Sequence, residues 1–194
     1  MTKIVGLTGG IGSGKTTIAK HIKSMGIPVY IADDEAKKIL MLPETLNSLK
    51  LVFGNSIFDD RLLNKDKLSN IVFNNPEMLK QLNQIIHPAV KRDFENWLIA
   101  NKNHPLVVKE VAILFESGSY KDCDAVITIV APLDSRINRV LERDNTNYEA
   151  VLSRINNQWT DEMRIEKSNY VIENEDVNIA CAQTENILKT LSNQ

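Results

Sequence analysis

The 194-residue chain holds two cysteines, three histidines and two tryptophans, and it has no long apolar run. Each scarcity excludes something. Cys123 and Cys181 are too few for a disulfide framework and neither belongs to a CxxC pair, so two buried thiols of a cytoplasmic protein are expected. His21, His87 and His104 lie far apart, which offers no zinc cluster. No stretch approaches the roughly 18 apolar residues of a membrane span. The apolar start of MTKIVGLTGGIGSGK stops after Leu7, before the core of a secretory signal forms, so neither a leader nor a membrane partner is expected. An excess of one charge is lacking too: 23 Lys and Arg against 25 Asp and Glu leave −2, and no global field gathers nucleic acid. What remains, 43% hydrophobic and 25% charged residues, describes a globular chain of one domain with excursions.

Only eight glycines occur, and four of them crowd into one stretch. Gly9-Gly10-Ile11-Gly12-Ser13-Gly14-Lys15-Thr16 fits G-x-x-x-x-G-K-[ST] without mismatch. It stands between a predicted strand, Lys3 to Thr8, and a helix predicted from about Gly14 to Met25, the context that gives the pattern meaning. Glycines let successive N–H groups turn toward phosphates, and the helix start adds its positive end. Lys15 is expected to reach the β- and γ-phosphates, and the Thr16 hydroxyl to ligate Mg²⁺. The spacing describes a mononucleotide site, not a dinucleotide fingerprint. It does not choose among kinases, GTPases and mechanical ATPases.

The hydrophobic pattern places the motif in an α/β fold. Val29–Ile31, Leu106–Val111 and Ala125–Val130 read as strands; the last two are nearly continuous apolar runs, as when helices cover both faces of a parallel sheet. A short strand at Tyr170–Glu173 and a helix over Asn178–Leu191 are expected to close the chain. From Asp33 to Ala100 helical signals dominate: 34–40, 44–53, 65–73, 76–86 and 90–100, with Asn64 and Asn75 as N-caps. Ser135–Arg143 and Tyr148–Gln158 are predicted as polar helices. The fold class expected is a P-loop core of parallel sheet with helices on both faces, a helical insert and a small helical lid.

Several charged residues bear on the choice of chemistry. Asp33 follows the second strand, where a carboxylate would orient an attacking hydroxyl or would simply cap a solvated helix. Glu110 ends the third strand, as a metal-side acid or as a strand end meeting solvent. Arg136, Arg139 and Arg143 share one helix face by their i, i+3, i+7 spacing, fitting a closure over phosphate or a solvated face. Glu116 is expected to cap or brace its loop. GTPase signatures N-K-x-D and D-x-x-G are absent; Asn64-Lys65-Asp66-Lys67 misses the first by its last residue. A kinase for a small acceptor remains.

Over nearly its whole length the chain resembles the dephospho-CoA kinase family. IVGLTGGIGSGKTT resembles that family's P-loop. Ile31-Ala32-Asp33 falls on its Asp-Ala-Asp, with Ile31 replacing the first Asp and Asp33 matching the second, the catalytic one. Ile86-His87-Pro88 matches Ile-His-Pro near the acceptor. Val111-Ala112-Ile113-Leu114-Phe115-Glu116 falls on Val-Pro-Leu-Leu-Phe-Glu, with Ala112 for proline and Glu110 before it where Asp is usual. Arg139 and Arg143 match lid arginines, Arg154 and Gln158 match Arg-x-x-x-Gln, and Asn174 matches an Asn near adenine.

The resemblance implies ATP-dependent phosphorylation of the ribose 3′-hydroxyl of dephospho-CoA, giving CoA and ADP. It implies a core of residues 1–32, 101–133 and 168–194, an acceptor domain at 33–100 and a lid at 134–167. Catalysis would fall to Asp33, Lys15 and Arg143. ATP would meet Gly9, Gly10, Ile11, Gly12, Ser13, Gly14, Lys15, Thr16, Thr17, Arg139 and Asn174. The acceptor would meet Asp33, His87, Glu110 and Leu114, and Mg²⁺ would meet Thr16 and Glu110. Another small-metabolite or nucleoside kinase, and a non-catalytic nucleotide-sensing P-loop protein, are the rival readings.

Overall fold

The computed structural model describes residues 2–73 and 75–193. In chain order the elements are β1 (Lys3–Thr8), α1 (Lys15–Ser24), β2 (Val29–Ile31), α2 (Ala32–Ile39), α3 (Pro43–Phe53), β3 (Phe58–Asp59), β4 (Leu62–Leu63), α4 (Lys65–Phe73) and α5 (Pro76–Ala100). They continue with β5 (Leu106–Glu110), β6 (Ala125–Val130), α6 (Leu133–Asp144), α7 (Tyr148–Asn156), α8 (Asp161–Lys167), β7 (Tyr170–Glu173) and α9 (Val177–Ser192). Contacts divide the chain into two compact units. One comprises 1–31 with 101–194, the other 32–100.

The first unit is built on a five-stranded sheet in the order β2-β5-β1-β6-β7, with every pairing parallel. Its middle strands are buried on both faces, which is why they read as unbroken apolar runs. Val5, Leu7, Val108, Ile127, Ile129 and Ile172 pack with Ile18, Ala19 and Ile22 of α1 and with Ala180, Leu188 and Leu191 of α9. The chain leaves β1 toward β2 on one side and leaves β6 toward β7 on the other. The carboxyl ends of β1 and β6 therefore form a topological switch point, where open α/β sheets bind ligands.

The second unit surrounds a smaller apolar cluster of Leu49, Phe53, Ile57, Leu63 and Leu68, joined by Leu82 and Ile85 of α5. Asn64 accepts from Lys67 N at 3.0 Å, and Asn75 accepts from Glu77 N and Met78 N at 3.1 and 3.2 Å, so both act as the expected caps.

Four expectations need correcting. Residues 76–86 and 90–100 form one helix that runs through Pro88; the missing N–H forfeits one backbone bond without ending the element. A hairpin, β3–β4, fills part of what was read as connection. Helix α8 lies where none was expected. Cys123 and Cys181 are half-buried, not buried, and desolvation pushes the Cys123 thiol up to about 11. Among the described residues no helix is long and apolar enough to cross a membrane.

Candidate active site

The loop after β1 is shaped by its glycines. Gly12 and Gly14 adopt φ of +79° and +97°, a region L-residues rarely enter. Space forbids a side chain as well: a Cβ on Gly12 would lie 2.4 Å from the Arg136 carbonyl oxygen, and one on Gly14 would lie 2.0 Å from Asn174 Nδ2. Ser13 N closes the turn by donating to Gly10 O at 3.1 Å, while the amides of Gly12, Gly14 and Thr16 donate to no group among the described residues. These free amides lie just before α1 and on its first turn, where the positive end of the helix favours an anion. Lys15 Nζ folds back on the loop and donates to Gly9 O at 2.8 Å and Gly10 O at 3.4 Å. Thr16 and Thr17 are exposed on the first turn of α1.

Side chains from other elements hold this loop. Asn174, at the end of β7, is buried and donates from Nδ2 to Ser13 O at 2.7 Å. Arg139 Nη2 donates to Asn174 O at 2.8 Å, and Arg136 Nε donates to Ile11 O at 2.9 Å. Gln158 Oε1 accepts from Ile11 N at 2.9 Å. Ser13 Oγ and Asn174 Oδ1 are buried polar atoms with no hydrogen-bond partner among the described residues. Leaving such atoms unmet costs about 1–3 kcal/mol each, so the site carries unspent hydrogen-bonding capacity beside the loop.

Glu110 ends β5 in register with Leu7 of β1 and is 4% exposed, which removes the reading of a strand end that meets solvent. Val111 N donates to Leu7 O at 3.0 Å and extends the pairing. Leu114, expected at the acceptor, is fully buried; its methyl would stand 2.8 Å from a Cβ on Gly6. Its side chain fills the core beneath β1. Glu116 braces its loop, accepting from Trp159 N at 3.2 Å and from Arg164 Nη2 at 3.3 Å.

The three arginines of α6 part company. Arg136 is 6% exposed and Arg139 half-buried, both against the loop, whereas Arg143 pairs with Asp144 at 2.7 Å and its side chain is 59% exposed. The hydrogen bond that it donates to Asp144 holds the Arg143 guanidinium above its ordinary pKa. Spacing put them on one face; the environment along that face differs, because Arg143 lies at the helix's last turn.

Asp33 and His87 belong to the second unit. Asp33 opens α2 with Asp34 and Glu35, three acids that favour a helix N-terminus. Asp34 pairs with Lys37 and Glu35 with Lys38, while exposed Asp33 makes no ion pair among the described residues. His87 is exposed on α5, lining with Gln84 and Pro88 an open depression of about 450 Å³. Desolvation lowers its pKa below the ordinary value of 6.5.

Sequence reasoning gave no role to Arg136 alone, Gln158, Asp161 or Arg164. The only signal for Gln158 was the family-like Arg-x-x-x-Gln, and a lone arginine such as Arg164 carries none.

Known proteins are similar to this chain in sequence and in fold. A family model described as dephospho-CoA kinase matches residues 3–179. A dephospho-CoA kinase of Fusobacterium nucleatum is 40% identical over 172 residues, covering 88% of this chain and 89% of the relative. That of Bacteroides fragilis is 37% identical over 172 residues, covering 88% and 84%. Among solved structures, the crystal structure of TT1252 from Thermus thermophilus superposes with a TM-score of 0.87 at 32% identity, covering 98% of this chain and 96% of the other. A P-loop at the switch point of a parallel sheet, matched along nearly the full length by these relatives, leaves one assignment: the chain belongs to the dephospho-CoA kinase family.

Proposed function

We propose that this chain transfers the γ-phosphoryl group of ATP to the ribose 3′-hydroxyl of dephospho-CoA, giving CoA and ADP. The observation that carries the reading is the loop Gly9–Thr16, with free amides and Lys15 gathered at the carboxyl end of β1. The family and its relatives support the acceptor.

In this reading the amides of Gly12, Gly14 and Thr16 and the Lys15 ammonium bind the phosphates. Lys15 exchanges its hold on Gly9 O for the β- and γ-oxygens. Arg139 and Asn174 form the wall on which the nucleotide's base and ribose rest. Asp33 accepts the proton of the 3′-hydroxyl at a carboxylate oxygen and orients that hydroxyl for in-line attack. His87 and its neighbours on α5 contact the acceptor. Arg143 releases Asp144 and neutralises charge on the transferring group. Residues 33–100 act as the acceptor domain and 134–167 as a lid that excludes water.

Among the described residues no group of three or more His, Cys, Asp or Glu could hold a metal by itself. The Thr16 hydroxyl and the Glu110 carboxylate are oxygen donors of the kind Mg²⁺ takes, and two are too few without phosphate oxygens. The residues fit an ion that arrives with the nucleotide. Bound there, Mg²⁺ supplies charge neutralisation to the phosphates.

The test is ADP release from ATP and Mg²⁺ with and without dephospho-CoA. Release that depends on the acceptor, with one ADP formed per CoA, is expected. Release indifferent to dephospho-CoA, or satisfied equally by other alcohols, overturns the reading.

A further inference from the structure

Ile11 sits at the crest of the phosphate loop, and all three of its parts are held by residues of 133–167. Its N–H goes to Gln158 Oε1 and its carbonyl to Arg136 Nε, each at 2.9 Å. Its side chain packs on Ile137, Val140 and Val151. Both holders are themselves held. Arg136 Nη1 pairs with Asp161 Oδ2 at 2.9 Å, and Asp161 Oδ1 takes Arg164 Nη1 at 3.3 Å. Arg164 reaches Glu116 Oε1 at 3.3 Å, and Glu116 also receives Trp159 N, the amide next to Gln158. Arg164 Nη1 donates to Trp159 O as well, and the Trp159 ring stacks on Phe115 at 5.8 Å and 6°. The chain of contacts thus closes into a ring: loop crest, Arg136, Asp161, Arg164, Glu116, Trp159, Gln158 and back to the crest.

Stability alone does not account for this ring. Arg164 has no exposed side-chain surface, and its Nε has no hydrogen-bond partner among the described residues. Burial lowers its pKa against the pull of Glu116 and Asp161. Buried charge pairs of this kind are often no more stable than apolar replacements of the same volume. What a directed network supplies and an apolar cluster does not is orientation.

We propose that Glu116, Arg164 and Asp161 are positioning residues for nucleotide binding, acting through Gln158 and Arg136 to hold the Ile11 crest so that the following amides face the phosphates. With the Ile11 N–H committed to Gln158, the anion is left to Gly12, Gly14 and Thr16. The ring spans the loop after β5 and the joint between α7 and α8, so both segments set the geometry of a loop they do not belong to. Trp159, stacked in the middle, reports the state of the ring. This inference rests on nucleotide binding at Gly9–Thr16, as proposed above.

The experiment titrates ATP with Mg²⁺ into the Trp97→Phe protein, which keeps Trp159 as its sole indole, and follows Trp159 emission and calorimetric binding. Gln158→Ala is expected to weaken ATP binding about tenfold, in line with the cost of a small misplacement of binding groups. KM for dephospho-CoA and the melting temperature should stay near wild type. Glu116→Gln keeps an acceptor for Trp159 N but removes the charge facing Arg164, and should give a smaller loss of the same kind. The double variant should lose less than the sum of the two, because both act through one joint. Unchanged ATP affinity in Gln158→Ala while the parent binds ATP overturns the positioning role alone. So do additive losses that track the melting temperature and both KM values. A parent protein that binds no ATP overturns the ring's role and the functional reading together.

Discussion

The two units of the chain use their residues in opposite ways. In the first, the proposed phosphate contacts are largely backbone, the amides of Gly12, Gly14 and Thr16, and the buried Arg136 and Asn174 with the half-buried Gln158 hold that backbone in place. In the second, the candidate groups are side chains, Asp33 and His87, exposed on helices whose interior is one small apolar cluster. Backbone sites need extensive bracing because each amide must point correctly. Side-chain sites need only a stable helix beneath them. A substitution in the first unit should therefore disturb binding through positioning, and one in the second should remove a single chemical group.

The sharpest way to break that contrast is to compare Asp33→Asn with Lys15→Ala. Asp33→Asn is expected to lower kcat by about 10²–10⁴, the range for losing a general base, while ATP affinity stays within a few-fold. Lys15→Ala should lower both. Calorimetric ATP binding beside single-turnover rates measures the split, and equal losses in Asp33→Asn would remove that residue from the transfer step.

A middle-sized effect concerns the cores. Leu49→Ala in the second unit should cost about 2–5 kcal/mol in stability, since a fully buried leucine leaves a cavity. Ile127→Val in the first unit, where strands and two helices close around the side chain, should cost about 0.5–1.5 kcal/mol. Denaturant unfolding reads both. A Leu49→Ala loss below the Ile127→Val loss would mean that the helical unit repacks freely.

The smallest expected effect belongs to His87. Its pKa is lowered in the folded chain by desolvation, so the unfolded chain takes up the proton first as pH falls below about 6.5. Stability then declines through that window. Between pH 7.5 and 5.5, the melting temperature of wild type should fall by about a degree more than that of His87→Gln. Identical declines would show that His87 titrates alike in both states.

Legibility in the sequence followed the same division. The strands of the first unit were readable because burial on both faces leaves nothing polar to interrupt them, and the loop was readable because its chemistry demands those glycines. The hairpin β3–β4 escaped because its turn is Asp60-Arg61, with φ of 46° and 74° and neither residue glycine, in place of the usual Asn-Gly. Pro88 suggested a break that the packing of α5 overrides. Helix α8 is seven residues long and its buried residue is Arg164, so no apolar stripe announces it. The ring around Ile11 escaped for a related reason: its members are polar, far apart in sequence, and brought together only by the fold. Leu114 shows the converse, a residue named through resemblance whose side chain the fold commits to the core.

The most direct test of the proposed reaction is the identity of its product. Phosphorus NMR of the product formed from ATP and dephospho-CoA should show a new monoester on the ribose 3′-oxygen, formed in step with ADP. A phosphate at another position, or inorganic phosphate released with the acceptor unchanged, would contradict it.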